Sequence, residues 1–221
     1  MTSSQLPVVV LISGGGTNLQ AIIDAAKGGL PIEIAAVISN RPGVYGLERA
    51  AQAGIETTVL DHRDFPDRAS YDHALMALID RYAPGLVALA GFMRILTADF
   101  VRHYAGRMLN IHPSLLPKYT GLHTHQRALD AGDSMHGVSI HFVTEELDGG
   151  PLIMQAQVPI EPRDDADTLA ARVLEKEHQL YPLAIRWYAE KRIRLHENGQ
   201  VILDSERLDQ PVVFTPRDAI R

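Results

Sequence analysis

The chain has 221 residues, 46% hydrophobic and 22% charged, the balance of a globular enzyme with one substantial core. Its formal net charge of -6 gives no electrostatic drive toward nucleic acid or an anionic membrane, and the lack of cysteine excludes disulfides, thiolate nucleophiles and cysteine zinc sites. The first seven residues lack the basic flank and apolar core of a signal peptide, and no apolar run reaches the ~20 residues of a membrane helix, so the expected location is the cytoplasm.

Val8 to Ile12 is an unbroken apolar, mostly β-branched run, the pattern of a strand buried on both faces of a parallel sheet. It breaks at Ser13-Gly14-Gly15-Gly16-Thr17-Asn18 and resumes with helical spacing at Leu19 to Ile23. A second strand is predicted at Ile34 to Ser39, a helix at Gly46 to Gln52 and a third strand at Thr57 to Leu60. Asp67 to Tyr82 is amphipathic, with Ala74, Leu75, Leu78, Ile79 and Tyr82 on one face, and Pro84-Gly85 ends it before a buried strand at Leu86 to Ala90. Strands alternating with helices in this way predict βαβ units and a parallel sheet.

The second half changes character. Val138 to Val143 and Leu152 to Pro159 read as strands with a short connection, an antiparallel extension of the sheet. Asp165 to Glu190 is a long helix with capping candidates at Asp164-Asp165 and Asp167-Thr168, and Pro182 predicts a kink near Leu180. Asn198-Gly199 marks a hairpin between Arg194–His196 and Val201–Leu203. Beyond Ser205 the pattern weakens into a loosely held tail. The expected organisation is one domain over 1–205, with lobes of about 1–105 and 106–205, and a weakly patterned tail over 206–221.

Three features carry chemistry. Asn110-Ile111-His112-Pro113 ends an apolar run, and side chains two apart in an extended segment point the same way. Asn110 and His112 therefore face one pocket, offering a hydrogen-bond donor and a donor or proton, while Pro113 turns the chain into a loop. Asp148, before Gly149-Gly150, sits in a turn where backbone can approach a ligand; within about 4–6 Å of His112 it stabilises the protonated imidazole. Ser13 to Asn18 sets backbone amides at a helix N-terminus, a place for phosphate. It matches neither the triphosphate nor the dinucleotide fingerprint, so a monophosphate ester is the better fit, with a plain tight turn as the bland alternative.

Other polar residues are less decided. Glu177 falls inside the apolar stripe Ala170, Val173, Leu174, Leu180, Tyr181, Ala184, Ile185, and either pairs with an arginine or enters the ligand site. Arg94 stands beyond a strand's carboxyl end, where open α/β sheets bind ligands, and Arg68 near a helix start; for either, a solvated side chain is the default. His141 alternates with apolar residues, and His123 and His125 share a face if extended. No metal-ligand spacing appears among them, so no metal is expected. Ser114 and Ser139 lack a nucleophile elbow.

These residues fall in long ordered stretches: Ser13-Gly14 with Gly16-Thr17-Asn18-Leu19-Gln20-Ala21-Ile22-Ile23-Asp24, Leu89 to Leu96, Leu109 to Tyr119, Gly121 to His125, and His141 to Gly150. From Val8 to about Trp187 the chain resembles the folate-dependent glycinamide ribonucleotide formyltransferase family. The resemblance implies a Rossmann-like α/β fold: a mostly parallel twisted sheet with helices on both faces and an antiparallel extension. It implies a formyl transferase of purine biosynthesis that takes 10-formyltetrahydrofolate as co-substrate and needs no metal. By it, Asn110, His112 and Asp148 are catalytic, and Gly16, Thr17 and Asn18 hold the ribonucleotide phosphate, with Glu177 at the glycinamide or ribose end. Met93, Arg94, Ile95, Leu96, Asn110, Thr144, Glu145, Glu146, Leu147 and Asp148 contact folate, with Arg68 near its tail. Gly15 departs from the family, whose members carry asparagine there, and the tail beyond Ser205 matches poorly.

The partners implied are small molecules, with no nucleic acid and no membrane, in a monomer or homodimer. Relatives sharing the Asn-x-His and aspartate set differ in their extensions: the methionyl-tRNA enzyme adds a C-terminal domain and formyltetrahydrofolate hydrolase an N-terminal one. Neither is expected here, which favours the free ribonucleotide as acceptor. The alternatives are the hydrolase and, from another class, a metal-dependent hydrolase using His112, His141 and Asp148.

Overall fold

The computed structural model describes residues 5–220; the outermost ends of the expected domain and tail, 1–4 and 221, lie outside the described residues. The chain divides into two compact units after Asn110, slightly later than the lobe boundary expected from the sequence.

The first unit is built on parallel strands. β1 (Leu6–Ile12) pairs on one side with β2 (Ile32–Ser39) and on the other with β4 (Leu86–Leu89). β2 carries β3 (Thr57–Val59), and β4 pairs with the first part of β5 (Met108–His112). The order β3-β2-β1-β4-β5 reverses direction at β1, and the loops after β1 and β4 therefore leave a topological switch point, the place where open α/β sheets take ligands. Val8 to Ile12 are fully buried, as a strand covered on both faces requires.

Helices α1 (Thr17–Lys27), α2 (Tyr45–Gln52), α3 (Arg68–Asp80) and α4 (Ala98–His103) follow β1, β2, β3 and β4. α1 starts earlier than its apolar spacing predicts because Gly16, at φ 71°, bends the chain directly into Thr17. α3 opens on Asp67, whose side chain accepts from the Ser70 amide at 2.8 Å. Its buried face differs from the predicted one: Leu75 and Ile79 are buried as expected, but Tyr71 and Asp72 join them, while Ala74, Leu78 and Tyr82 are only half-buried.

In the second unit, β6 (Met135–Phe142) and β7 (Leu152–Pro159) form the expected antiparallel pair. α6 (Ala166–Ala189) packs on both strands. Its N-terminus is a capping box: the Thr168 amide donates to Asp165 at 2.8 Å and the Asp165 amide to the Thr168 hydroxyl at 3.0 Å. The helix continues through Pro182 without interruption. β8 (Ile193–Leu195) and β9 (Val201–Leu203) make the hairpin around Gly199, and β10 (Glu206–Arg207) extends it. Within the expected tail, β11 (Val212–Phe214) runs parallel to β7, with Val212 opposite Met154.

One further helix, α5 (Thr124–Asp130), shows that the extended segment on which a shared face of His123 and His125 depended is not formed. His123 is the residue preceding the helix, at φ 58°, and His125 lies in its first turn, so the two do not share a strand face.

Candidate active site

β5 delivers Asn110 and His112 as an extended strand should, two residues apart and on one side. The imidazole of His112 is buried, with Nδ1 3.5 Å from Asp148 Oδ1 and Nε2 2.9 Å from the Tyr119 carbonyl oxygen. Both ring nitrogens thus face acceptors, an arrangement that a cationic ring satisfies at both ends and a neutral ring at only one. Asp148 is fixed in turn: its backbone is left-handed at φ 52°, and its other carboxylate oxygen accepts from the Gly121 amide at 2.8 Å.

Both glycines after Asp148 sit close against the chain itself. A Cβ at Gly150 would collide with the Phe142 carbonyl, and one at Gly149 with the Glu146 side chain. At Gly150 the close approach is to the chain's own backbone, where the Phe142 amide donates to Pro151 O at 3.1 Å. The glycines tighten the turn that carries Asp148.

The loop after His112 is held by buried polar side chains that sequence patterning did not single out as structural. Ser139, on β6, donates to Ser114 O at 2.6 Å and accepts from the Leu116 amide at 3.0 Å and from Gln155 Nε2 at 2.8 Å. Gln155 also donates to Leu116 O, and Thr124 to Pro113 O. Apolar alternation hides Ser139 and Gln155, because a buried hydroxyl or amide in a strand looks like an outward-facing residue until its partners are placed. Three further histidines have structural partners: His136 Nε2 lies 3.1 Å from His125 Nδ1, and His141 bonds the Phe142 carbonyl. Burial pushes all three below the usual histidine value, His136 to about 4. Among the described residues, no group of three or more metal-binding side chains could hold an ion.

The glycine loop of the first unit is equally specific. A Cβ on Gly16 would lie 2.6 Å from Gly46 Cα, so α1 and α2 meet where neither residue can carry a side chain. Arg49, which the sequence reading passed over, donates to Gly15 O at 2.8 Å and stacks over Tyr45 at 4.7 Å. Around Gly15 there is open space: a Cβ there would meet nothing within 4 Å among the described residues. Thr17 and Asn18 form the first turn of α1, with amides at the helix's positive end.

The segment after β4 turns its side chains alternately. Met93 and Ile95 are exposed by 61% and 54%, whereas the Arg94 guanidinium lies over the buried Tyr71 ring at 4.7 Å and is not the solvated side chain of the default reading. Leu96 is half-buried and Arg68, at the start of α3, is exposed. In the second unit, Thr144, Glu145, Glu146 and Leu147 form the bend leading to Asp148, with Leu147 exposed. Glu177 is buried on α6 between Val173 and Leu180, as the stripe predicts, although Leu169 takes the buried place expected of Ala170 and Leu174.

A Rossmann-like sheet, an amide cradle at its switch point and an Asn-x-His pair backed by a carboxylate define a class, and the chain belongs to the formyl transferase family, whose model matches residues 6–185. Its relatives are narrower in kind. It is 57% identical to the phosphoribosylglycinamide formyltransferase of Escherichia coli (strain K12) over 202 residues, covering 91% of this chain and 95% of that one. A structure of the phosphoribosylglycinamide formyltransferase of Coxiella burnetii, in complex with CHES, superposes with a TM-score of 0.92 at 56% identity, covering 95% and 99% of the two chains. The trifunctional purine biosynthetic protein of Drosophila melanogaster is 51% identical over 181 residues, which are 80% of this chain but 13% of that protein.

Proposed function

We propose that the chain transfers the formyl group of 10-formyltetrahydrofolate to the amine of 5'-phosphoribosylglycinamide, a step of purine biosynthesis that belongs in the cytoplasm. The observation that carries the reading is the buried His112, paired with Asp148 at 3.5 Å and two residues from Asn110 on the same strand. The family and its close relatives support the same chemistry.

The substrate amine attacks the formyl carbon; a C–N bond forms and the carbonyl oxygen becomes an oxyanion. Asn110 and protonated His112 donate to that oxygen, stabilisation of roughly 3–4 kcal/mol per donor in comparable sites. His112 Nε2, held on the Tyr119 carbonyl here, exchanges that acceptor for the oxyanion. Asp148 orients the ring and keeps its charge. The amine then loses its proton, the folate N10–carbon bond breaks, and N10 takes up a proton relayed through water near Asp148.

Gly16, Thr17 and Asn18 bind the phosphate, with Glu177 at the glycinamide or ribose end. The exposed apolar side chains of Met93, Ile95 and Leu147 suit a flat pteridine. The remaining folate contacts fall to Arg94, Leu96, Asn110, Thr144, Glu145, Glu146 and Asp148, with Arg68 at the folate's anionic tail. His112→Ala and Asp148→Ala are each expected to lower kcat by about 100-fold or more while ribonucleotide affinity stays nearly unchanged. Single-turnover rates and ribonucleotide titrations check this; turnover like the parent's in either variant contradicts it.

A further inference from the structure

Asp72 is a fully buried carboxylate on α3, and nothing in the proposed chemistry uses it. Burying a carboxylate costs several kcal/mol unless its charge is answered. Burial raises the pKa of Asp72 and leaves Oδ1 without a hydrogen-bond partner among the described residues, while Oδ2 is held by one short segment. Asp72 Oδ2 accepts from the Thr97 amide at 2.6 Å, and the Thr97 hydroxyl and the charge of Arg94 both act on the same carboxyl. The Arg94 guanidinium is in turn laid over the ring of Tyr71, the neighbour of Asp72 on the helix.

The other end of the segment is tied in the same manner. The Met93 amide donates to the hydroxyl of buried Ser13 at 2.8 Å, and Ser13 donates to Asn40 at 2.5 Å. Residues 93–97 are thus pinned at both ends by buried side chains, with Arg94 turned inward and Met93 and Ile95 turned out. The segment has no regular structure of its own before α4, so its backbone depends on these ties.

We propose that Asp72 is a positioning residue for the folate: by holding Thr97 and Arg94 it fixes the Met93–Leu96 backbone that the folate contacts. The inference rests on the formyl-transfer reading above. Arg94 acts as an internal strut of this segment, and its backbone, not its guanidinium, faces the co-substrate.

The test compares KM for 10-formyltetrahydrofolate and for the ribonucleotide in Asp72→Ala and Asp72→Asn, alongside Tm. Asp72→Ala is expected to raise the folate KM at least about tenfold with the ribonucleotide KM within about twofold. Asp72→Asn keeps an oxygen for the Thr97 amide and is expected to recover part of that loss. If Asp72→Ala does not fold, Arg94→Met removes the same strut from its accessible end and is expected to shift the folate KM alone. An unchanged folate KM, or both KM values rising together as Tm falls, overturns the proposal. A parent enzyme that releases no tetrahydrofolate overturns the formyl-transfer reading itself, and this inference with it.

Discussion

His136 shows how one buried side chain can make stability depend on pH. It is buried, and burial with His125 alongside pushes its pKa down from 6.5 to about 4. Between those values the unfolded chain binds a proton that the folded chain refuses, so stability rises with pH through this window. The contribution is complete above about 6.5 and is lost as the pH falls toward 4. His136→Asn is expected to reduce the loss of unfolding free energy between pH 7 and pH 4.5 by on the order of 1–2 kcal/mol, measured by urea titration. A loss equal to the parent's contradicts this assignment. The sequence makes Asn110 and His112 readable at this scale because the strand period alone puts them on one side. The partner of His112 was legible only as a possibility: Asp148 lies far along the chain, and no local rule sets a distance across that separation. Asp72 was hidden for the opposite reason, since a charge on a helix is read as solvated until its burial is seen.

Elements were legible where periodicity is long and failed where it is short. β1, β2, β6, β7 and α6 follow their patterns closely. α4 and α5 are only six and seven residues, too few for a helical stripe to show. β11 is three residues long, and its order comes from pairing with β7, a tertiary gain absent from local sequence. The loop between β5 and α5 directly follows His112, and Ser139 is its central tie. Ser139→Ala removes one donor and two acceptor roles and leaves the Leu116 amide and the Gln155 side chain each short of a buried bond. It is expected to destabilise the fold by roughly 2–3 kcal/mol and to lower kcat more than it raises either KM. A urea midpoint matching that of the parent enzyme tells against this role.

For the whole molecule, the sequence established the fold class and the family. The Gly16 to Asn18 turn and the pinned segment after β4 lie in the first unit; His112, Asp148 and Glu177 lie in the second. The central claim is therefore about the acceptor, since water and the ribonucleotide amine can use the same oxyanion stabilisation. The most direct measurement mixes the purified protein with 10-formyltetrahydrofolate and follows tetrahydrofolate release with and without 5'-phosphoribosylglycinamide. Release that requires the ribonucleotide, with the formylated ribonucleotide formed in equal amount, is the expected result. Release at the same rate without it would make water the acceptor and contradict the account.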